Sequence, residues 1–134
     1  SSGTNQILWP DHCIQGTKGA EFTPDFDSSL IQAIFHKGTR KNVDSYSTFF
    51  YYTHLHPTGL DAALKERKIH TLYIAGLATD YCVKYSVLDA CRLGYKTFVV
   101  VDGCQGVNLN PHDSEKALEE MKNAGATLVY LRKL

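Results

Sequence analysis

The chain has 134 residues, of which 43% are hydrophobic, and its 14 basic and 14 acidic side chains give a formal net charge of zero. This length and composition predict one soluble globular domain with a substantial core. The lack of a basic stripe argues against nucleic acid as a partner. No apolar stretch reaches the length of a membrane span. The polar first six residues do not resemble a signal peptide, and the missing initiator Met suggests a start within a longer protein.

The predicted elements, in chain order, are a strand over 31–36, a helix over 58–67, a strand over 71–75, a helix over 80–93, a strand over 97–101, a helix beginning near Asn110 and ending at Gly125, and a strand over 127–131. Strands that are apolar on both faces and joined by helices predict an α/β fold: a three-layer, mostly parallel sheet with right-handed crossovers. We expect one domain over 1–134, with an irregular, site-forming segment at 1–29 and a β-α-β-α-β-α-β arrangement over 30–134.

The four cysteines show neither a C-x-x-C spacing nor the pattern of a disulfide framework. In a chain of this size without a secretory signal, they are expected to be reduced, which favours a cytoplasmic location. Their distribution therefore directs attention to individual thiols rather than to disulfide bonds.

Cys82 lies where the strand over 71–75 gives way to the helix over 80–93. The first turn of a helix offers unpaired N–H groups and the positive end of the helix dipole, and both stabilise a thiolate. A thiolate in that place is a candidate nucleophile. The alternative is that Cys82 is a small buried residue without chemistry.

Lys37 follows the predicted strand over 31–36 and is expected at the same edge of the sheet as Cys82, because ligands of open α/β sheets bind beyond the carboxyl ends of the strands. A lysine beside a cysteine favours the thiolate, and backbone N–H groups in the turn over 76–79 offer an oxyanion site. Together they predict amide hydrolysis through a thioester. A solvated loop lysine is the alternative for Lys37.

Several separated segments of the chain match one family. They read W-P-D-H-C at 9–13, G-T at 16–17, G-A-E-F at 19–22, H-K-G-T at 36–39, D-S-Y-S at 44–47, T-G-L at 58–60 and G-L-A-T-D-Y-C-V-K at 76–84. In these motifs and in their order, the chain resembles the nicotinamidases of the isochorismatase-like cysteine hydrolases. The resemblance covers nearly all of the chain from Trp9 on.

The resemblance implies conversion of nicotinamide to nicotinate and ammonia in NAD salvage, and pyrazinamide is a substrate of many members. By this likeness Cys82 is the nucleophile and Lys37 the second member of a Cys-Lys-Asp triad. The N–H groups of Ala78 and Cys82 form the oxyanion hole, with a cis peptide between Leu77 and Ala78. Nicotinamide is the expected small-molecule partner.

The same resemblance implies a metal and a substrate pocket. His12 corresponds to the last ligand of a divalent metal, which is zinc, iron or manganese in the family. Trp9 and Tyr81 line the pocket against the pyridine ring, and Tyr46 contributes from its loop.

The family's triad aspartate and its other metal ligands belong to motifs that precede Trp9, and this chain has neither motif. We therefore expect the 134 residues alone to be weakly active or inactive, and to expose an apolar sheet edge. A missing N-terminal segment or a second copy of the chain is the expected partner. Tyr51 and Tyr52 also replace a common Asp-Asn pair.

Two alternatives stay open. One is a related isochorismatase-like hydrolase with another amide or imide substrate, against which the segment from Trp9 to His12 argues. The other is a non-catalytic remnant of the fold, against which the presence of both Cys82 and Lys37 argues.

Overall fold

The computed structural model describes residues 7–41, 43–51 and 54–133. These residues belong to two compact units, one up to Ile34 and one from Phe35 onward. Within residues 7–34, the first unit has only two short 3₁₀ turns, Lys18–Ala20 and Ser28–Leu30, and no strand. Every helix in the described ranges is too short or too polar to span a membrane.

The second unit carries the regular structure. In chain order, its described elements are α1 (Leu60–Glu66), β1 (Thr71–Leu77), a π-helical turn (Thr79–Val83), α2 (Lys84–Arg92), β2 (Lys96–Gln105), α3 (Asp113–Asn123), β3 (Thr127–Val129) and a closing 3₁₀ turn (Leu131–Lys133). The strands form one parallel sheet in the order β1-β2-β3. This arrangement confirms the predicted α/β class and its parallel sheet.

Glycines end both long helices and return the chain to the sheet. Gly94 follows α2 with φ of 88°, and Gly125 follows α3 with φ of 108°. Such positive φ angles suit glycine, which has no Cβ to clash. After each glycine the next N–H turns back onto the helix: Tyr95 N–H donates to the carbonyl of Ala90, and Ala126 N–H donates to that of Met121, both at 3.1 Å. These turns direct the chain into β2 and β3.

The core lies between the sheet and the two long helices. Its buried members are Val83, Val87, Val99, Ala117, Met121 and Ala126. The stripe predicted for the helix over 80–93 is confirmed, because Val83, Val87 and Ala90 are buried and Cys91 packs against the core. This core fixes the start of α2, and with it the turn that carries Cys82.

The predicted strand over 31–36 is wrong, and so is the first β in the predicted arrangement over 30–134. No described residue of this segment pairs with the sheet, and Ile34 and Phe35 are 54% and 39% exposed. A β-strand needs neighbours to pair with and to pack against, and an apolar run does not supply them by itself. Lys37 therefore lies in an irregular segment rather than at the end of a strand.

The third helix begins later than predicted, at Asp113 rather than near Asn110. The Asn110 N–H does donate to the Asp113 carboxylate at 2.9 Å, as in a capping box. His112, however, has φ of 68°, which is left-handed and interrupts the helical path.

Phe49, Ala90 and Tyr95 form a second group of buried residues, and Tyr95 joins this group to α1. Its side chain is 8% exposed, its ring stacks on Phe49 at 6.0 Å between centroids, and its hydroxyl donates to the Asp61 carboxylate at 2.7 Å. Burial, reinforced by the bond to Asp61, raises the pKa of Tyr95 from 10.0 to about 12.

Tyr95→Phe is expected to lower the free energy of unfolding by about 1 kcal/mol near neutral pH, the usual worth of such a hydrogen bond. Because the folded state favours the neutral phenol, the stabilisation is complete below pH 10 and is lost as the pH rises through about 12. Urea titrations across this range measure both effects. The control is Tyr73→Phe, since the Tyr73 side chain is 58% exposed. If the free energy of unfolding of Tyr95→Phe falls with alkaline pH as steeply as that of the native chain, the loss of stability does not come from Tyr95.

Candidate active site

Cys82 and Lys37 line one cavity of about 220 Å³ in the second unit. The other lining residues come from α1, β1, the π-helical turn, α2 and the loop before α1: Thr48, Phe49, Leu60, Leu64, Leu72, Tyr73, Ile74, Ala75, Leu77, Val83 and Ser86. The structure thus brings the two predicted catalytic side chains to the same cavity, although the strand expected before Lys37 is absent. Most of the lining is apolar, with one cysteine, one lysine and three residues that bear a hydroxyl group.

Lys37 is held by the loop that precedes α1. Its Nζ donates to the backbone carbonyl of Ser45 at 2.9 Å. Ser45 is 2% exposed, and its own N–H donates to the Asp44 carboxylate at 2.7 Å. A lysine ammonium has three donors, so the bond to Ser45 is compatible with a further contact inside the cavity.

Cys82 lies in the π-helical turn between β1 and α2, where sequence analysis expected the first turn of an ordinary helix. The Ala78 carbonyl accepts the N–H groups of Tyr81 and Val83, both at 3.0 Å. Cys82 is a free, half-buried thiol. Single π turns of this kind often occur at functional sites.

The backbone before this turn has the form that the resemblance implied. The peptide between Leu77 and Ala78 is cis, which confirms that expectation. Gly76, just before it, has φ of 125°, a conformation that glycine adopts without steric cost.

The sequence motifs assign no role to Asp80, which is 5% exposed. Its carboxylate accepts the backbone N–H groups of Val107 at 2.9 Å and Asn108 at 2.7 Å. The available signal was an acidic residue inside an otherwise apolar strand-to-helix segment, two positions before the cysteine.

Tyr46 and Tyr81, both predicted to line the substrate pocket, contact each other. Their ring centroids are 5.4 Å apart, and the Tyr46 ring also stacks on Tyr85 at 5.5 Å. Burial and the negative charge of Asp80 raise the pKa of Tyr81. In the described part of the second unit, neither tyrosine lines the Cys82 cavity; Tyr46 lines a separate cavity of about 320 Å³. Their contact with substrate stays a prediction.

The separate cavity contains a buried carboxylate that sequence analysis missed. Asp89 is 2% exposed and accepts His54 Nε2 at 3.0 Å and Arg92 at 3.1 Å through the same oxygen. Nothing in the sequence singled out this pair, because His54 and Asp89 lie 35 positions apart.

Trp9 and His12 lie in the first unit, where Trp9 is half-buried and His12 is exposed. His12 Nδ1 donates to the Pro10 carbonyl at 2.7 Å. This bond places the ring proton on Nδ1 and leaves Nε2 able to bind a metal, as in many metal-ligating histidines. Within the described ranges, however, no three His, Cys, Asp or Glu side chains converge on a metal. His12 fits a metal as one ligand, and the residues described do not form a complete site.

The sequence matches known relatives over nearly its whole length. It is 51% identical over 129 residues to the nicotinamidase of Escherichia coli, covering 96% of this chain and 61% of that protein. It is 40% identical over 121 residues to the nicotinamidase/pyrazinamidase of Mycobacterium tuberculosis, covering 90% of this chain and 62% of that protein. The chain therefore spans about 61% of the length of a curated relative that it matches.

Solved structures show the same fold. A nicotinamidase of Acinetobacter baumanii superposes with a TM-score of 0.92 at 44% identity, covering 96% of this chain and 61% of that one. The pyrazinamidase of Pyrococcus horikoshii, solved in complex with zinc, superposes with a TM-score of 0.78 at 35% identity, covering 92% of this chain and 64% of that one.

The family model described as the isochorismatase domain matches residues 3–132. This match covers the cavity, the strand-to-helix turn and the cis peptide alike. The chain belongs to the isochorismatase family, as its motifs predicted.

Proposed function

We propose that the protein to which this chain belongs is a nicotinamidase, which hydrolyses nicotinamide to nicotinate and ammonia. The observation that carries the proposal is the shared cavity of Cys82 and Lys37, in a chain 51% identical to the nicotinamidase of Escherichia coli. Because the chain spans 61% of that relative, the activity is proposed for the whole protein. Pyrazinamide is a second proposed substrate, since the relative from Mycobacterium tuberculosis is a nicotinamidase/pyrazinamidase.

The apolar cavity suits a flat ring that carries one polar group. Leucines of α1 and β1 contribute to one part of the lining, and Cys82 and Lys37 contribute reactive groups. Ligand sites commonly combine an apolar wall with a few placed polar atoms in this way. A pyridine carboxamide has the matching chemistry, with an apolar ring and a single amide to be attacked.

In the proposed reaction the Cys82 thiolate attacks the carboxamide carbon. A C–S bond forms, and the carbonyl electron pair moves onto oxygen, where the N–H groups of Ala78 and Cys82 donate to it. The Lys37 ammonium stabilises the thiolate before attack. Cleavage of the C–N bond releases ammonia and leaves a thioester, which water hydrolyses to nicotinate and the free thiol.

Ammonia needs a proton as it leaves, and the thiol has given one up. The family resemblance assigns the transfer of this proton, from the thiol to the leaving ammonia, to an aspartate in a motif that this chain does not contain. We therefore propose that the 134 residues alone turn over slowly if at all, and that an added N-terminal segment or a second copy completes the site. The reaction would serve NAD salvage, and the free cysteines described favour the reducing cytoplasm.

We also propose a divalent metal in the complete protein, with His12 as one ligand. The free Nε2 of His12 and the zinc complex of the Pyrococcus horikoshii relative support this proposal. Zinc, iron and manganese all accept imidazole nitrogen. No reaction step is assigned to the metal.

Cys82→Ala is expected to abolish ammonia release from nicotinamide, because the attacking atom is lost. The assay uses this chain joined to the part of Escherichia coli nicotinamidase that precedes the matched region, beside the chain alone. Cys91→Ala is the matched control, since Cys91 lies in α2, the helix that follows the turn of Cys82, and packs against the core. Turnover that survives Cys82→Ala contradicts the proposed nucleophile, and full activity of the chain alone contradicts the need for completion.

Lys37→Met is expected to slow alkylation of Cys82 by iodoacetamide about tenfold near neutral pH, because a neighbouring cation favours the thiolate. The rate is followed by mass spectrometry of the Cys82 peptide. The control is Lys41→Met, an exposed lysine of the same segment. Equal rates in the Lys37 variant and the native chain contradict the pairing.

His12→Ala is expected to reduce the metal content of the completed protein, measured by inductively coupled plasma mass spectrometry, by tenfold or more, since losing one of a few ligands weakens binding strongly. His70→Ala, at another exposed histidine, is the control. Equal metal content in the His12 variant and the native protein rules out the ligand assignment.

A further inference from the structure

We infer that Asp80 is a positioning residue for the proposed nucleophile: its carboxylate clamps the loop after β2 onto the turn that carries Cys82. The inference depends on the proposed function only for the role of Cys82 as the nucleophile. The clamp itself is a matter of geometry.

The two carboxylate oxygens of Asp80 hold two successive residues of the loop. Oδ1 accepts the Val107 N–H at 2.9 Å, and Oδ2 accepts the Asn108 N–H at 2.7 Å. Asp80 itself is 5% exposed. Hydrogen bonds to an ionised carboxylate are stronger than those between neutral groups, and two parallel ones fix direction as well as distance.

A buried carboxylate two residues before the nucleophile needs a reason. Burial of a charge is costly unless it is hydrogen-bonded, and a second negative charge opposes a thiolate nearby. The N–H dipoles of Val107 and Asn108 point at the Asp80 carboxylate and offset both costs. The remaining effect is positional. The Asp80 carboxylate holds the turn Thr79–Val83 to the loop after β2 through two hydrogen bonds.

The loop is itself anchored to α3, so the clamp has a rigid base. Asn108 accepts the Ser114 N–H through its side-chain oxygen at 2.9 Å. Gly106 lies so close to Ser114 that a Cβ there would overlap its hydroxyl. The helix α3 also packs against the turn itself, because Ala117 and Met121 share a buried cluster with Val83, the last residue of the turn.

Position at this turn matters because catalysis depends on small distances. A misplacement of about 1 Å costs on the order of a hundredfold in rate. The turn carries Cys82, and the two backbone N–H groups proposed for the oxyanion belong to Cys82 and to Ala78, the residue directly before the turn. Release of Asp80 therefore displaces the nucleophile and the oxyanion donors together.

The experiment compares Asp80→Asn and Asp80→Ala with the native sequence in the completed protein. Active sites are titrated with nicotinaldehyde, a compound described as an inhibitor in a yeast nicotinamidase structure. The measured quantities are kcat and KM for nicotinamide per titrated site, and the rate of Cys82 alkylation by iodoacetamide against pH. We expect kcat to fall about a hundredfold in Asp80→Ala. Asp80→Asn falls about tenfold, because its amide oxygen still accepts one N–H.

Asp102→Asn is the matched control. Asp102 also accepts a backbone N–H, that of Leu131 at 2.9 Å, but it is exposed. Its kcat and alkylation rate are expected to stay within about twofold of native, as for surface changes in general. In the Asp80 variants KM is expected to change less than about threefold, since Asp80 does not line the cavity and most of the lining lies outside the turn.

A purely structural Asp80 would lower the melting temperature and leave kcat and alkylation per titrated site unchanged, and that result overturns the inference. Should Asp80→Ala fail to fold, Asp80→Asn provides the test. Hydrogen exchange at the Val107 and Asn108 amides is then expected to be faster in Asp80→Asn than in the native protein. If the native completed protein releases no ammonia, the proposed function fails. The clamp is then tested by itself through alkylation of Cys82 in the 134-residue chain. Slower alkylation in Asp80→Asn than in the native chain supports the clamp, and an equal rate overturns it.

Discussion

The turn Thr79–Val83 is the constraint on which the site depends. There, a parallel strand must end and a helix must begin while one thiol stays at the wall of a cavity. The cis peptide at Leu77–Ala78 and the π-helical form of the turn give the backbone its path. Val83 packs it into the core, and the Asp80 carboxylate ties it to the loop after β2. Together these features hold the backbone on both sides of Cys82.

Lys37 reaches the same cavity by a different route from the one that the sequence predicts. The strand expected at 31–36 is absent from the described residues, so sheet polarity does not place the lysine. The loop before α1 does so instead, through the Ser45 carbonyl that accepts from Nζ at 2.9 Å. The two residues therefore line one cavity as expected, although the strand that was expected to bring Lys37 there is not formed.

The sequence predicts features that repeat at short range. The apolar runs of β1 and β2, the stripe on α2 and the helix-ending glycines all follow from local patterns, and all are present. It fails where long-range contacts decide. The run over 31–36 has strand-like composition without a partner, and Asp80 and Asp89 acquire their roles from residues 27 to 35 positions away. The cis peptide was found through resemblance to a family, because no local pattern of residue types predicts it.

In the proposed reaction, Cys82 forms a covalent bond to the acyl group of the substrate. Rapid acid quenching of the completed protein during turnover of nicotinamide, followed by peptide mass spectrometry, tests it directly. We expect a nicotinoyl thioester on the peptide that contains Cys82. Steady release of ammonia with no acyl group on that peptide, or with the acyl group on another residue, would contradict it.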